Sequence, residues 1–443
     1  MSIPVTPPDW QEQLRTCPPD TLSRVFRAGV SAMPDRRYFH WDKLRHRSPP
    51  EGLNHEHWWL GVKFARAQIR RELPMQDIGE RSFGYAMVPP VQEALHRIDG
   101  RATGRIALPD PITGPDQRDR YLVSSLIEEA VTSSQLEGAA TTRRVAVDML
   151  RSGRRPKDHG ERMIFNNYEA MSVIREWCRE DMTPARVREL HRMLTRDTLD
   201  NPEDAGRLQQ PGEQRIGVYD NRNNTLLHAP PDAKYLESRL HALCEFANTD
   251  YTGADFIHPL IQAITLHFWL AWDHPFVDGN GRTARALFYW KMLRSGYWLF
   301  EYLSISTILR RAQGQYKRAF LETETDDNDL TYFVLNQLDV IDQAISELER
   351  YLQRKIHEVQ QAEQLLRTEH GLNNRQLALL AHALRHPDAT YTVNSHRNSH
   401  RVAYATARAD LLDLSERRLL FKAPSTHPIR FTVPDNLADR VRE

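Results

Sequence analysis

The sequence predicts a mainly α-helical chain with one small β-hairpin and a separate C-terminal unit of mixed helices and strands. Three observations carry this. Between about 118 and 350 the apolar residues recur at three and four positions, as in Leu122, Leu126 and Ala130 and again in Leu260, Ile261, Ile264 and Phe268. In RIGVYDNRNNTLLHAPPDA (215–233) β-prone pieces flank an Asn-rich turn and a Pro pair then stops pairing. From 372 to 434 helical and strand-like patterns alternate.

Taken in order, residues 1–110 read as an N-terminal helical domain, in which EHWWLGVKFARAQIRREL forms a helix with Trp59, Val62, Phe64 and Ile69 on one face. LPDPITGPDQ (108–117) concentrates Pro, Gly and Asp and reads as a boundary. Residues 111–345 form the central domain. A charged helix over about 336–368 connects it to a C-terminal domain within 346–443.

Composition narrows the function. The 443 residues hold 59 Lys+Arg against 59 Asp+Glu, so no global charge draws the chain to polyanions. With 27% charged residues and a mean hydropathy of −0.61, no apolar run approaches the roughly 18 residues of a membrane helix. The N-terminus MSIPVTPPDW lacks the features of a secretory signal, and a cytoplasmic location is expected, with no membrane partner. Cys17, Cys178 and Cys244 offer neither a disulfide framework nor a metal clip.

Chemistry-bearing residues concentrate in His274-Pro275-Phe276-Val277-Asp278-Gly279-Asn280-Gly281-Arg282-Thr283-Ala284-Arg285. Pro275 must end the preceding apolar helix within a residue or so, which opens a loop at His274. Gly279 and Gly281 let backbone N–H groups approach a ligand, and the next helix turns its free N–H groups and positive dipole end toward the loop. Arg282 and Arg285, three apart in the first turn, can grip phosphate oxygens. Asp278 offers the hard oxygen that Mg²⁺ prefers, and His274 has the intrinsic pKa of a general base near neutrality. Singly, each is a cap, a turn or a packing residue. Together they have no evident packing purpose.

HPFVDGNGRTAR matches every fixed position of HxFx(D/E)GNGRxxR, the signature of the Fic (filamentation induced by cAMP) family, and the chain resembles that family over most of 118–335. The resemblance implies a Fic-fold helical core and a protein adenylyltransferase moving AMP from ATP to a Ser, Thr or Tyr hydroxyl of a target, either another protein or the chain itself. It implies His274 as base, Phe276 as loop anchor and Asp278 as the Mg²⁺ ligand. Gly279, Asn280 and Gly281 would line the phosphate site, and Arg282 and Arg285 would contact the triphosphate. Ser133-Ser134-Gln135-Leu136-Glu137-Gly138 resembles the family's inhibitory pattern (S/T)xxxE(G/N), on a helix expected over 118–138 that Gly138 terminates. By that resemblance Glu137 pairs with Arg285 and restrains the enzyme. Hairpin 215–233 corresponds to the family's flap, with Ile216, Val218 and Tyr219 as docking candidates for a target strand. Tyr316 aligns with a region near the adenine in relatives. Histidines 55, 57, 258 and 267 lack metal-ligand spacing and read as structural.

The order in 372–434 resembles a winged helix-turn-helix, whose second helix would carry Arg401, Arg408, Arg417 and Arg418 toward DNA, although Asp410, Asp413 and Glu416 dilute that positive face. Two alternatives to the transferase remain at this level: a DNA-binding regulator whose Fic core senses nucleotide, and an AMP-removing hydrolase using the same site. A homodimer is also compatible with the sequence.

Overall fold

A computed structural model of the chain describes residues 3–102, 115–152, 154–220, 225–368, 371–423 and 428–441. It divides into two compact units, one of residues 1–104 with 125–344 and one of 105–124 with 345–443. The expected break near 110 therefore does not separate an N-terminal domain from the helical core, and most of the 108–117 segment lies outside the described residues. The reason is a set of long-range ties. Lys63 pairs with Asp326 at 2.6 Å, Arg66 donates to the Tyr332 hydroxyl at 2.8 Å, and Tyr38 donates to Asp329 at 2.5 Å. Both cations are buried, where paired charges require such partners.

Helix α1 (His55–Ala67) is capped by Asn54 and buries Trp58, Trp59, Leu60 and Val62. The sequence reading carried this helix too far. After Ala67 the chain becomes strand β1 (Arg70–Gln76), antiparallel to β2 (Ser82–Ala86), and Ile69 is exposed rather than on the apolar face. Leu73 and Met75 alternate inward with period two, a pattern that Pro74 and the preceding charges mask.

Helix α2 (Pro115–Leu136) ends one residue before Glu137. Gly138, at φ 99°, lets the Ala139 N–H return to the Ser134 carbonyl at 3.0 Å, which closes the helix end. Helices α3 (His159–Trp177) and α4 (Pro184–Thr195) lead to the hairpin β3 (Val218–Asp220) and β4 (Thr225–His228), whose connecting turn 221–224 lies outside the described residues. Helix α5 (Pro259–Asp273) is buried on nearly all sides, and α6 (Asn280–Arg294) packs along it. A helix that is apolar all round belongs at the centre of a core. Helices α7 (Ile305–Arg311), α8 (Gln313–Thr325) and α9 (Thr331–Thr368) follow. No helix among the described residues is long and apolar enough to cross a membrane.

In the second unit α10 (Asn374–Arg385), strand β5 (Thr390–Thr392), α11 (Val393–His400) and α12 (Tyr404–Glu416) precede β6 (Phe421–Lys422) and β7 (Arg430–Thr432). The strands form one antiparallel sheet in the order β5-β7-β6. Helix α11 escaped the sequence reading because NSHRNSH is polar and of low helix propensity. A reciprocal cap by Thr392 and Ser395 and the burial of Val393 and His396 hold it. Arg401 thus lies in the turn between α11 and α12, and Arg417 and Arg418 follow the end of α12 rather than lying on it.

Candidate active site

The loop between α5 and α6 is held by its carbonyl groups. The His228 Nε2–H donates to the Trp272 carbonyl at 2.6 Å, and Arg215 Nη2 donates to the carbonyls of Asp273 and His274 at 2.8 and 3.0 Å. The Gln209 N–H reaches the Pro275 carbonyl at 3.0 Å. Asn280 clamps Phe276 in both directions, accepting from its N–H at 3.0 Å and donating to its carbonyl at 2.8 Å. His191 then closes the row. Its Nδ1 accepts from the Gly206 N–H at 2.9 Å, so the ring proton sits on Nε2 and donates to the Asp278 carbonyl at 2.7 Å. The same ring stacks on Phe276, with centroids 3.7 Å apart, and Phe276 is fully buried.

With its carbonyls drawn into the protein, the loop leaves backbone N–H groups for a ligand. Helix α6 begins at Gly279 with no side-chain cap, so its first N–H groups are open to an anion. Gly279 is irreplaceable on two counts: its φ is 79°, and a Cβ there would meet Thr195 Cγ2 at 2.6 Å.

His274 occupies the left-handed region at φ 46°, an uncommon conformation for a side-chain-bearing residue, and Pro275 bars it from continuing the helix. Its Nδ1 lies 3.3 Å from the Ala271 carbonyl. Burial lowers its pKa to about 4, so the imidazole is neutral near pH 7 and Nε2 can take up a proton.

The two motif arginines are not equivalent. Arg285 is buried, donates to the Ser133 hydroxyl and carbonyl at 2.9 and 3.0 Å, and pairs with Glu137 at 2.8 Å. Arg282 is buried as well, but its Nη1 is spent on the Leu194 carbonyl at 2.8 Å and its Nη2 lies 3.4 Å from Asp278. Its Nε has no partner among the described residues. The Glu137 carboxylate also covers Gly281 so closely that a Cβ there would clash with Oε1. A carboxylate therefore stands where the start of α6 would receive an anionic ligand.

The other candidates separate by environment. Asp278 is exposed at the rim, and a single carboxylate fits a Mg²⁺ that is otherwise held by phosphate oxygens and water. No cluster of three metal-ligating side chains occurs among the described residues. The Asn280 side chain is fully committed to Phe276, which leaves its backbone N–H for a ligand. In the hairpin, Tyr219 and Ile216 are exposed together with Leu226; Ile216 precedes strand β3 rather than lying in it. Tyr316 shares its hydroxyl with His267 Nε2 at 2.9 Å, His258 pairs with Asp99 at 2.9 Å, and His55 meets the Arg47 carbonyl at 2.9 Å.

Sequence reasoning missed His191, Gln209, Arg215 and His228, which shape the loop from distant segments. His191 and Gln209 stand in stretches with no motif of their own, and Arg215 and His228 lie in the 215–233 hairpin, which was read only as a docking edge, so only the fold brings the four to the loop. Glu129 was missed too. Buried on α2, it accepts from the Ser306 N–H at 3.1 Å and from the Ser304 hydroxyl at 2.9 Å, which ties the helix bearing Ser133 to the start of α7. Burial pushes its carboxyl pKa up.

This helix–loop–helix joins a capless second helix, a neutral histidine and two buried arginines of different partners. The Fic/DOC family model matches residues 181–292. The chain is 26% identical over 214 residues to "Protein adenylyltransferase Fic" of Nematostella vectensis, covering 46% of each chain. It is 32% identical over 111 residues to "Protein adenylyltransferase fic-1" of Caenorhabditis elegans, covering 25% of this chain and 19% of that one. The chain thus matches less than half the length of these curated relatives. A solved Fic family protein from Desulfovibrio desulfuricans G20 superposes with a TM-score of 0.52 at 20% identity over 80% of this chain and 98% of that one, a likeness of fold.

Proposed function

We propose that the protein is an adenylyltransferase that moves AMP from ATP to a hydroxyl side chain of a target protein, and that Glu137 restrains it. The observation that carries this reading is the Glu137–Arg285 pair lying over Gly281 at the open start of α6. In the reaction the target hydroxyl oxygen forms a bond to the α-phosphorus, the bond to the bridging oxygen breaks, and pyrophosphate leaves. Neutral His274 takes the hydroxyl proton at Nε2. The N–H groups around Gly279 to Gly281 receive phosphate oxygens, and Arg285 neutralises charge once Glu137 withdraws. Asp278 would hold Mg²⁺, which supplies further charge neutralisation on the phosphates. The exposed edge near Ile216, Val218 and Tyr219 offers backbone pairing to an extended target segment.

Glu137 opposes transfer because an arginine engaged by a carboxylate cannot also grip a terminal phosphate. The test is incubation with labelled ATP and Mg²⁺. Glu137→Gly should raise protein-bound label at least tenfold, and adding His274→Ala should remove it by a factor of roughly 10² or more. Label that is independent of His274 would overturn the assignment. Release of AMP from a modified target, lost in Glu137→Gly, would instead favour the hydrolase.

A further inference from the structure

Glu129 precedes Glu137 by two turns on the same stripe of α2, with Ser133 between them. Its side chain is buried, and three donors converge on it from the start of α7. Oε2 accepts from the Ser304 hydroxyl at 2.9 Å and from the Ser306 N–H at 3.1 Å, and Oε1 accepts from the Ser306 hydroxyl at 2.5 Å. Helix α7 receives no cap from its own Ser304 side chain, so this carboxylate from α2 serves in its place. The corner that Glu129 meets is itself fixed. The Tyr289 hydroxyl of α6 donates to the Leu303 carbonyl at 3.1 Å and accepts from the Ile305 N–H at 2.9 Å.

The neighbours of Glu129 on α2 are committed in the same way. Thr132 and Ser304 share a hydrogen bond between their hydroxyls at 3.2 Å, and the Asn167 amide of α3 donates to the Ser134 hydroxyl at 3.4 Å. After Ser134 the bonding changes. The N–H groups of Glu137 and Gly138 reach carbonyls only three residues back, at 3.1 and 3.2 Å, the looser pattern of a helix end. The Glu137 side chain is 28% exposed, whereas Glu129 is only 2% exposed. Water can replace what Glu137 gives up on leaving Arg285, but withdrawing Glu129 would strand three donors. A cleft of about 400 Å³, with Gln135 and Ala139 in its wall, lies beside that last turn.

We infer that Glu129 is a positioning residue that pins α2 to α7 and so presents Ser133 and Glu137 to Arg285, and that Glu137 withdraws by opening of the last turn while the rest of α2 stays docked. The inference rests on the reading of Glu137 as the restraint on transfer. It assigns the strength of that restraint to a carboxylate with no hydrogen bond to Arg285.

The test uses the full chain with labelled ATP and Mg²⁺, together with amide hydrogen exchange over residues 127–138. In the unaltered chain the amides of 135–138 should exchange at least about tenfold faster than those of 127–134. Glu129→Ala should bring 127–134 up to the rate of the last turn and raise protein-bound label at least about fivefold, yet add nothing in a Glu137→Gly background. Glu129→Gln keeps an acceptor and the volume, so it should return slow exchange and low label. A residue that serves only the fold would instead lower label in both backgrounds. Ser306→Ala removes one donor with little change in packing and should move exchange and label the same way by about twofold, which keeps the test open if Glu129→Ala does not fold. Uniform exchange across 127–138 in the unaltered chain, unchanged exchange in both variants, or no gain of label where Glu137→Gly gains it, would overturn the inference. Exchange as stated with no label in Glu137→Gly would leave the anchor standing and overturn the transferase reading instead.

Discussion

Two helix–turn–helix junctions in this chain use arginine in opposite ways. At the α5–α6 junction Arg282 and Arg285 are buried and hydrogen-bonded to the protein itself, and nearly every carbonyl of the loop is pinned. At the α11–α12 junction Arg401 and Arg408 stand in solvent with no ion pair among the described residues. Burial makes the first junction rigid, since each desolvated donor must keep its acceptor. Exposure keeps the second available, because solvated cations cost nothing to leave unpaired. Preorganisation suits a site where charge must be met at a fixed place, whereas exposed side chains stay free to reorient.

The sharpest way to break this contrast is at Gly279. Gly279→Ala introduces both an unfavourable φ and a clash with Thr195, and should cost about 2–4 kcal/mol in chemical denaturation and abolish transfer. A variant with wild-type stability would show that the loop yields, contrary to the pinned geometry.

Acid should act on the first unit's interior next. Burial lowers the pKa of His191 to about 4 and that of His267 to about 3, below the ordinary imidazole value near 6.5. The unfolded chain therefore binds more protons between those limits. Stability should be full above about pH 6.5 and fall by on the order of 2–3 kcal/mol per histidine as pH drops toward 4. A His191→Gln variant should flatten part of that fall when its unfolding free energy is followed by urea titration across pH.

A smaller effect separates the two junctions directly. Arg285→Ala removes the partner of Ser133 and Glu137 and should cost roughly 2 kcal/mol, the half-open position of Glu137 moderating the loss. Arg408→Ala should stay within about 0.5 kcal/mol. Equal melting shifts for the pair would erase the distinction.

Much of the site was legible in the chain because it is contiguous. Pro275, the two glycines and the arginines dictate a helix end, an open turn and a helix start through local sterics alone. The contact between Glu137 and Arg285 was also anticipated, through a second short motif. The N-terminal hairpin was hidden by Pro74 and by flanking charges that blur the alternation of Leu73 and Met75. Helix α11 was hidden because caps and two buried side chains, rather than propensity, hold it.

Local chemistry by itself thus determined a mainly helical chain and a loop that opens between a helix end and a capless helix start, since backbone conformation near Pro and Gly depends only on neighbours. Tertiary structure decided what surrounds that loop and which charges remain free. It brought His191, Gln209, Arg215 and His228 to the loop carbonyls from as far as 87 residues away, and it buried Asp410 against Arg375. Those outcomes depend on which buried polar groups find partners, and that is settled only when distant segments pack.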